Sequence, residues 1–176
     1  MKIFSKALSI YFAFCKRIVL TSVENTSQVE GQTRQELSAR ALILSLRSIL
    51  RRFPFWKEGH LEFATQSLIV RDVEAAYASV QGAIQLEGNP PKPSAPIRKL
   101  LAICYVRSGD SIQSAALLED LLVELPNDKE LRSELVACCL AIGEYARVRS
   151  ILEPIPSSSL SAEEQAALVF VRKGGP

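Results

Sequence analysis

The chain has few of the side chains on which enzyme sites are commonly built. It contains one histidine, one methionine and one tryptophan among 176 residues, and aromatic residues make up only 7%. The single imidazole, His60, leaves a zinc site short of ligands. No dinucleotide-binding, phosphate-loop, zinc-protease or nucleophile-elbow motif occurs. We therefore expect a non-enzymatic protein with no catalytic residue, no metal site and no cofactor.

Cysteines are too few and unsuitably placed for a disulfide framework. There are four, and Cys138 and Cys139 are adjacent, so on a helix they do not face each other. No C-x-x-C motif is present. We interpret all four as small apolar fillers of an intracellular protein in a reducing compartment.

Strand-like alternation and long apolar runs are also missing. No segment alternates for long enough to form a strand, and the apolar run at residues 7–15 is too short to span a bilayer, which takes about 20 residues. The chain has instead an apolar content of 48%, supplied mainly by Ala and Leu. Since both are strong helix formers, we expect an all-α fold.

Capping residues, glycines and prolines divide the chain into helices. Thr33 with Glu36, and Ser161 with Glu164, fit capping boxes, in which each side chain accepts a hydrogen bond from the other residue's backbone N–H group. Asp72, Ser94 and Asp110 each precede an apolar helical pattern and can cap it. We expect helices over residues 33–53, 55–70, 72–88, 94–108, 110–125, 127–142, 144–153 and 161–173.

One helical hairpin recurs along the chain after 34 residues. When Gly109 is placed over Gly143, apolar and small residues on both sides of the turn coincide. A third copy upstream fits if the proline-rich loop at 88–96 is allowed four extra residues. Such a period of paired helices is typical of a stacked solenoid. The matching pairs are Leu101 with Leu135, Ala102 with Val136, Cys104 with Cys138, Leu118 with Leu152 and Leu121 with Ile155.

The recurring residues resemble the tetratricopeptide repeat (TPR) family. Residues 95–128 supply its pattern of large, small, aromatic, turn and closing residues with Leu101, Ala102, Tyr105, Gly109, Ser114, Leu118, Leu121 and Pro126. The copy at 129–162 has Cys139, Val148 and Leu160 where the family has an aromatic, a small residue and a proline. The copy at 57–90 has Arg71 in place of the turn glycine.

The resemblance implies an architecture for most of the chain. It predicts a right-handed stack of antiparallel helical hairpins, an α-solenoid, with an extra N-terminal helix. The repeat domain would cover residues 33–176, with repeats at 57–90, 95–128 and 129–162 and a capping helix at 162–173. Residues 1–32 would form a separate basic, apolar segment and linker.

The resemblance also implies a binding surface, because family members use the concave face lined by the first helix of each pair. A mostly apolar face with two cations would suit an amphipathic helix or extended peptide of a partner protein. The alternative is that these residues pack against other helices of the same chain. The residues placed on this face are Thr65, Leu68, Lys99, Ile103, Val106, Arg107, Ser133, Ala137 and Leu140.

The N-terminal part of the chain is basic. Residues 1–57 hold ten Lys or Arg and three acids. On a helix, Phe4, Leu8, Tyr11, Cys15 and Ile18 share one face, with lysines near the other. Residues 1–23 therefore fit a helix docked on the repeats, a membrane-surface anchor, or an organelle-targeting segment.

A second basic face is expected on the helix that precedes the repeats. Arg40, Arg47, Arg51 and Arg52 fall on one side of it, followed by the aromatic cluster at residues 53–56. Nucleic acid is an unlikely partner, since aromatics beside a proline at a helix junction usually fill core. We expect a solvated or partner-facing helix.

Two functions follow from these features. The first is an adaptor or assembly factor that binds another protein. The alternative is a membrane-associated subunit anchored through residues 1–23. The corresponding localisation is cytoplasmic or peripheral to a membrane, with organelle targeting as a further alternative.

Overall fold

The computed structural model describes residues 6–13, 16–17 and 34–173, and within these ranges all regular secondary structure is helical. This confirms the all-α prediction for the described residues. Residues 6–13 and 16–17 are helical, and a short 3₁₀ turn lies at Ser157–Ser159. The α-helices that follow are α1 (Arg34–Arg52), α2 (Lys57–Ile69), α3 (Val73–Leu86), α4 (Ala95–Ser108), α5 (Ser111–Glu124), α6 (Lys129–Ala141), α7 (Tyr145–Leu152) and α8 (Ala162–Arg172).

Short polar side chains begin several helices, as their positions predict. The Asp72 carboxylate accepts a hydrogen bond from the Ala75 backbone N–H at 3.1 Å, and Asp110 accepts one from Gln113 at 3.1 Å. The Ser161–Glu164 capping box is present in full at the start of α8. Thr33, of the other predicted box, lies outside the described residues. These contacts fix where the helices start, because they satisfy backbone donors that have no partner inside the helix.

Three hairpins reverse direction through the same backbone turn. The residue with positive φ is Arg71 after α2 (63°), Gly109 after α4 (88°) and Gly143 after α6 (78°). In each case its N–H bonds the carbonyl three residues back, and the next N–H bonds the carbonyl five residues before itself. This pair of hydrogen bonds is the Schellman motif, which uses the last carbonyls of a helix and ends it.

The turn at Arg71 shows that the hairpin does not require glycine. Left-handed backbone favours glycine because a Cβ atom crowds the following carbonyl. Arg71 nevertheless adopts it, with its N–H 3.2 Å from the Leu68 carbonyl and that of Asp72 2.9 Å from the Ser67 carbonyl. The sequence departs from the repeat pattern here, but the backbone does not.

The chain forms two compact units, Met1–Leu100 and Leu101–Pro176. The division falls within α4, and the described N-terminal residues belong with α1 to α3. In the first unit α2 packs against both α1 and α3. Its core includes Leu42, Leu46 and Trp56, with Phe12 buried among them.

The second unit is built around α6, which packs against α5, α7 and α8. Each of these four helices contributes at least one buried leucine to the core. A buried hydroxyl also contacts a thiol there: the Cys138 Sγ lies 3.6 Å from the Ser114 Oγ. Leu118, Leu121, Leu131, Leu135, Val148, Leu152 and Leu168 are all buried.

Three corresponding positions of the hairpins are buried in every copy. They are the small-residue position of the first helix and two positions of the second helix. Two of the predicted pairs differ, since Leu135 and Leu121 are buried whereas Leu101 and Ile155 are half-buried. The manner in which the hairpins stack stays a prediction. The three sets are Ala64, Ala102 and Val136; Ala76, Ser114 and Val148; and Val80, Leu118 and Leu152.

The proline-rich loop after α3 is held by one carboxylate. Glu87 accepts hydrogen bonds from the Ser94 backbone N–H at 3.0 Å and from the Lys57 Nζ at 3.0 Å. The hydroxyl and backbone donors of Ser94, followed by Lys57, lower the pKa of Glu87 to about 2. This carboxylate thereby links the start of α2 to the start of α4.

Gly59 allows the Trp56 ring to lie directly against α2. A Cβ atom at this position would fall 2.2 Å from the ring carbon Cε3 and 2.6 Å from Cδ2. Both residues are buried, so the ring has little room to move. The tryptophan side chain that organises the first core therefore depends on the absence of a side chain one turn later.

We predict that Gly59→Ala destabilises the protein by about 1–3 kcal/mol through overpacking. A loss of stability would be informative, because Gly→Ala within a helix normally stabilises a protein by about 1 kcal/mol. Chemical denaturation measures the change in the free energy of unfolding. In a Trp56→Leu background the same substitution should be neutral or stabilising. Destabilisation of equal size in both backgrounds would show that the ring is not the cause.

Candidate partner-binding surfaces

The outward face of α1 is basic. Arg40, Arg47 and Arg51 are separated by seven and four residues, which places them within about 40° of one another around the helix. All three are exposed, and so is Arg52, which lies about a quarter-turn further round. Leu44 lies between Arg40 and Arg47 on the same stripe and is 67% exposed. We call Arg40, Leu44, Arg47 and Arg51 the α1 basic stripe.

The opposite side of α1 fixes this orientation. Leu42 and Leu46 are buried in the first core, and Ile49 and Leu50 pack against it. A helix anchored along one side presents the other to solvent. The basic stripe therefore results from the apolar pattern of α1, as the sequence predicts. The exposed Leu44 is the member of the stripe that sequence reasoning missed, since one leucine among many carries no sign of exposure.

The predicted concave-face residues are placed differently from helix to helix. In the first unit, Thr65 is exposed, with its hydroxyl donating to the Leu61 carbonyl at 2.9 Å, while Leu68 and Lys99 are half-buried. In the second unit, Ile103 and Val106 of α4 are half-buried and Arg107 is exposed. On α6, Ala137 is exposed, and Ser133 and Leu140 are half-buried.

One apolar position is partly uncovered in all three first helices. Leu68 of α2, Val106 of α4 and Leu140 of α6 occupy the same place relative to their hairpin turns, three residues before the left-handed residue. Each is half-buried, whereas the small-residue position four residues earlier is fully covered. The recurrence shows that hairpin packing leaves the same strip of each first helix accessible.

Ser133 has a structural partner inside the second unit. Its hydroxyl donates to the Glu164 Oε1 at 3.1 Å, and Arg132 donates to both oxygens of the same carboxylate, from Nε at 2.8 Å and from Nη2 at 3.2 Å. The Ser161 backbone N–H adds a fourth bond at 2.8 Å. Arg132 and Glu164 are both buried. This network joins α6 to the first turn of α8.

The network determines the charge state of Glu164. Burial raises the pKa of the carboxyl, but the hydrogen bonds from Arg132, the Ser161 backbone and Ser133 outweigh it and hold the pKa below its ordinary value. Glu164 is therefore ionised as the counter-charge of the buried guanidinium. From the sequence, Glu164 is predicted only as a capping residue. Its ion-pair partner Arg132 lies 32 residues away, so no local sequence pattern indicates the pair.

The described N-terminal residues are in contact with the first core. The Phe12 ring meets the Trp56 ring edge to face, with centroids 6.0 Å apart, and Leu8 packs against the same cluster. The Lys16 Nζ lies 2.9 Å from the Glu62 Oε1 of α2. These contacts agree with the docked-helix interpretation for the residues concerned.

The apolar face predicted for this segment needs correction. Tyr11, which was placed on it, is 58% exposed, and its neighbour Phe12 is buried instead. Leu8 and Phe12 are four residues apart and so share one side of a helix, on which the Phe12 ring can reach Trp56. Phe4, Cys15 and Ile18 lie outside the described residues.

Three cysteines lie in helix interiors. Cys104, Cys138 and Cys139 are buried and free, and Cys15 falls outside the described ranges. Burial raises the pKa of Cys104 and of Cys139 to about 11, and that of Cys138 in the same direction. The thiolate is the nucleophilic form, so these three thiols are unreactive near neutral pH.

His60 is a structural residue of the first unit. Its Nε2 lies 2.9 Å from the Pro54 carbonyl and its Nδ1 3.2 Å from the Ser79 Oγ. The Ser79 hydroxyl donates in turn to the His60 carbonyl at 2.9 Å. The imidazole thereby connects the turn before α2 to α3.

In the part of the chain that the structure describes, no group of three or more His, Cys, Asp or Glu side chains could hold a metal ion. Within the same ranges, no helix combines the length and apolarity needed to cross a bilayer.

Comparisons with known proteins leave the family undetermined: no family model, curated protein or solved structure gives a significant match to this chain.

We predict that Glu164→Gln lowers the free energy of unfolding by about 3–5 kcal/mol, because it leaves the Arg132 guanidinium buried without a counter-charge. The neighbouring Glu163→Gln, on the exposed side of α8, should change it by less than about 0.5 kcal/mol. Chemical denaturation of the two variants measures both. Equal effects would mean that the ion pair does not stabilise α8.

The same pair should make stability depend on pH. Since the pKa of Glu164 is lowered by folding, its contribution is present above the pKa of an unfolded glutamate and is lost as the pH falls through the lower folded-state value. The difference between wild type and Glu164→Gln should therefore shrink below about pH 4. If the difference in the free energy of unfolding stayed constant down to the pH at which the protein unfolds, ionisation of Glu164 would not be its cause.

Proposed function

We propose that the protein is a non-enzymatic binding module, an adaptor or assembly factor, that holds a peptide or helix of a partner protein along the first helices of its hairpins. The observation that supports this most directly is the partly uncovered apolar position shared by Leu68, Val106 and Leu140. Each of these positions suits contact with an apolar side chain of a peptide or helix.

The chemistry around these positions indicates what the ligand needs. In α4, Ile103 lies four residues from both Lys99 and Arg107, so an apolar centre has a cation on either side along the helix. A ligand with an apolar anchor flanked by carboxylates would complement it. In α6 the neighbouring residues are Ala137 and Ala141, both exposed, which allow close approach of another backbone.

The TPR resemblance supports the same surface from another direction. Family members place the first helices of their hairpins on a concave face that binds peptides. The partial cover of Ile103, Val106 and Leu140 has a second explanation, that neighbouring helices of the chain occupy the face. The binding experiment below distinguishes the two.

The membrane-associated alternative has one supporting observation. Ile10 and Tyr11 are 64% and 58% exposed, next to the exposed cations Lys6 and Arg17. Interfacial helices bind by inserting their apolar face, but Leu8 and Phe12 are occupied by the first core. We therefore place protein binding first.

We predict that Lys99→Glu with Arg107→Glu weakens partner binding at least about tenfold, roughly 1.4 kcal/mol. The charge reversal removes attraction to the partner's acidic groups and adds repulsion. The loss of binding free energy should therefore exceed that from removing two surface ion pairs. The intact protein serves as bait, captured proteins are identified by mass spectrometry, and the affinity of each purified partner is then measured for wild type and variant.

The matched control is Arg52→Glu with Lys173→Glu, which changes net charge equally at two exposed positions outside the first helices of the hairpins. It should bind as wild type does. Thermal melting of both variants excludes a folding defect. If the Lys99/Arg107 variant binds every captured partner like wild type, the surface on α4 is wrongly assigned.

A further inference from the structure

The α1 basic stripe is charged along its whole length and is not used by the function proposed above. Arg40 and Arg51 are about 16 Å apart along the helix axis, with Arg47 and the exposed Leu44 between them. Among the described residues, no carboxylate forms an ion pair with these three arginines. The stripe therefore presents three guanidinium groups and one large apolar side chain in a single row.

The three arginines indicate that a ligand of the stripe is negatively charged, and they indicate part of its geometry. A guanidinium group offers a planar pair of donors that matches the two oxygens of a carboxylate or phosphate. Lysine would supply the charge without this geometry. A row with spacings of seven and four residues is matched by acidic groups with the same spacings on a second helix packed alongside.

Nucleic acid explains the stripe less well. Proteins that bind single strands combine cations with aromatic rings that stack on bases. The nearest tryptophan, Trp56, is 2% exposed and packed against Phe12, and Phe53 is half-buried. Phe55 is 52% exposed, contrary to the expectation that these aromatics fill core, but it is a single ring and lies beyond the end of α1, outside the row of arginines. The exposed Leu44 in the centre of the row also offers nothing to a phosphate backbone.

A membrane explains it less well too. Helices that lie in the lipid interface insert a broad apolar face, whereas the apolar face of α1 is turned inward, with Leu42 and Leu46 buried. Three arginines alone give only weak attraction to an anionic surface. One exposed leucine between them adds a small apolar contact, which suits a matching side chain on a protein helix better than a bilayer.

We propose that the α1 basic stripe binds an acidic amphipathic helix of a partner protein, with carboxylates facing Arg40, Arg47 and Arg51 and an apolar side chain against Leu44. This surface is separate from the first-helix surface of the proposed function. Its occupant is defined by charge complementarity and spacing: acids seven and four residues apart, in either chain direction, and an apolar residue between the widely spaced pair.

The test uses the full chain and synthetic helical peptides as probes. Two matched peptides carry glutamates at positions i, i+7 and i+11 or i, i+4 and i+11, with a leucine between the widely spaced pair. A scrambled peptide keeps the composition and net charge but distributes the acids around the helix. Fluorescence anisotropy at physiological salt measures binding. Wild type should bind one matched peptide at least about tenfold more tightly than the scrambled one.

Variants of the protein assign the effect to the stripe. Arg40→Glu with Arg47→Glu and Arg51→Glu should weaken binding of the matched peptide at least about tenfold, and Leu44→Asp should weaken it measurably. The charge-matched control is Arg52→Glu with Lys92→Glu and Lys173→Glu, all exposed positions off the stripe. That control, and Lys99→Glu with Arg107→Glu, should bind the peptide as wild type does.

The other occupants are included as probes. Phosphatidylcholine vesicles containing phosphatidylserine, a DNA duplex and a single-stranded RNA are measured with the same variants. Tighter binding to any of these than to the matched peptides, lost in the triple arginine variant, would overturn the assignment to a protein helix. So would equal binding of matched and scrambled peptides, retention of binding by the triple variant, or no binding of either matched peptide.

Discussion

The hairpins of this protein depend on one backbone constraint, a single left-handed residue that ends each first helix. At Arg71, Gly109 and Gly143 the same two hydrogen bonds close the helix, and the next residue enters the second helix. Asp72 and Asp110 cap that second helix, while the Glu144 carboxylate bonds Arg147 at 2.7 Å instead. With the turns alike, three positions at fixed distances from the turn are buried in every hairpin, and one apolar position is half-buried in every first helix.

The features that the sequence predicts best are those that depend on residues close together in the chain. Helix starts at Asp72, Asp110 and the Ser161–Glu164 box depend on side chains within three residues of the bonds they make. Three buried positions of the hairpins could be predicted for a related reason, since each lies at a fixed distance from its turn. Among the described residues, Cys104, Cys138 and Cys139 are buried, as expected for small apolar fillers.

Features set by distant contacts could not be predicted in this way. The Arg132–Glu164 ion pair joins two helices whose charges look like ordinary surface residues. Phe12 rather than Tyr11 turns inward because Trp56 provides a partner 44 residues later in the chain. Arg71 takes a conformation that its side chain disfavours, so no glycine signals the turn. The exposure of Leu44 depends on which side of α1 the core occupies.

The two proposed surfaces use different chemistry. The first helices each offer one partly uncovered apolar position, and in α4 two cations flank Ile103 along the helix. The α1 basic stripe offers a row of guanidinium groups around one leucine, and three of its four residues are charged. Both would recognise acidic, partly apolar protein segments, which fits an adaptor or assembly factor that brings proteins together.

The equivalence of the three hairpin turns is tested most directly by substituting their left-handed residues and measuring the free energy of unfolding. Arg71→Gly should stabilise the protein by about 0.5–1 kcal/mol, since glycine adopts positive φ without a Cβ penalty. Gly109→Ala and Gly143→Ala should each destabilise it, by about 1–2 kcal/mol. Destabilisation by Arg71→Gly, or no effect of either alanine, would show that the three turns are not the same structure.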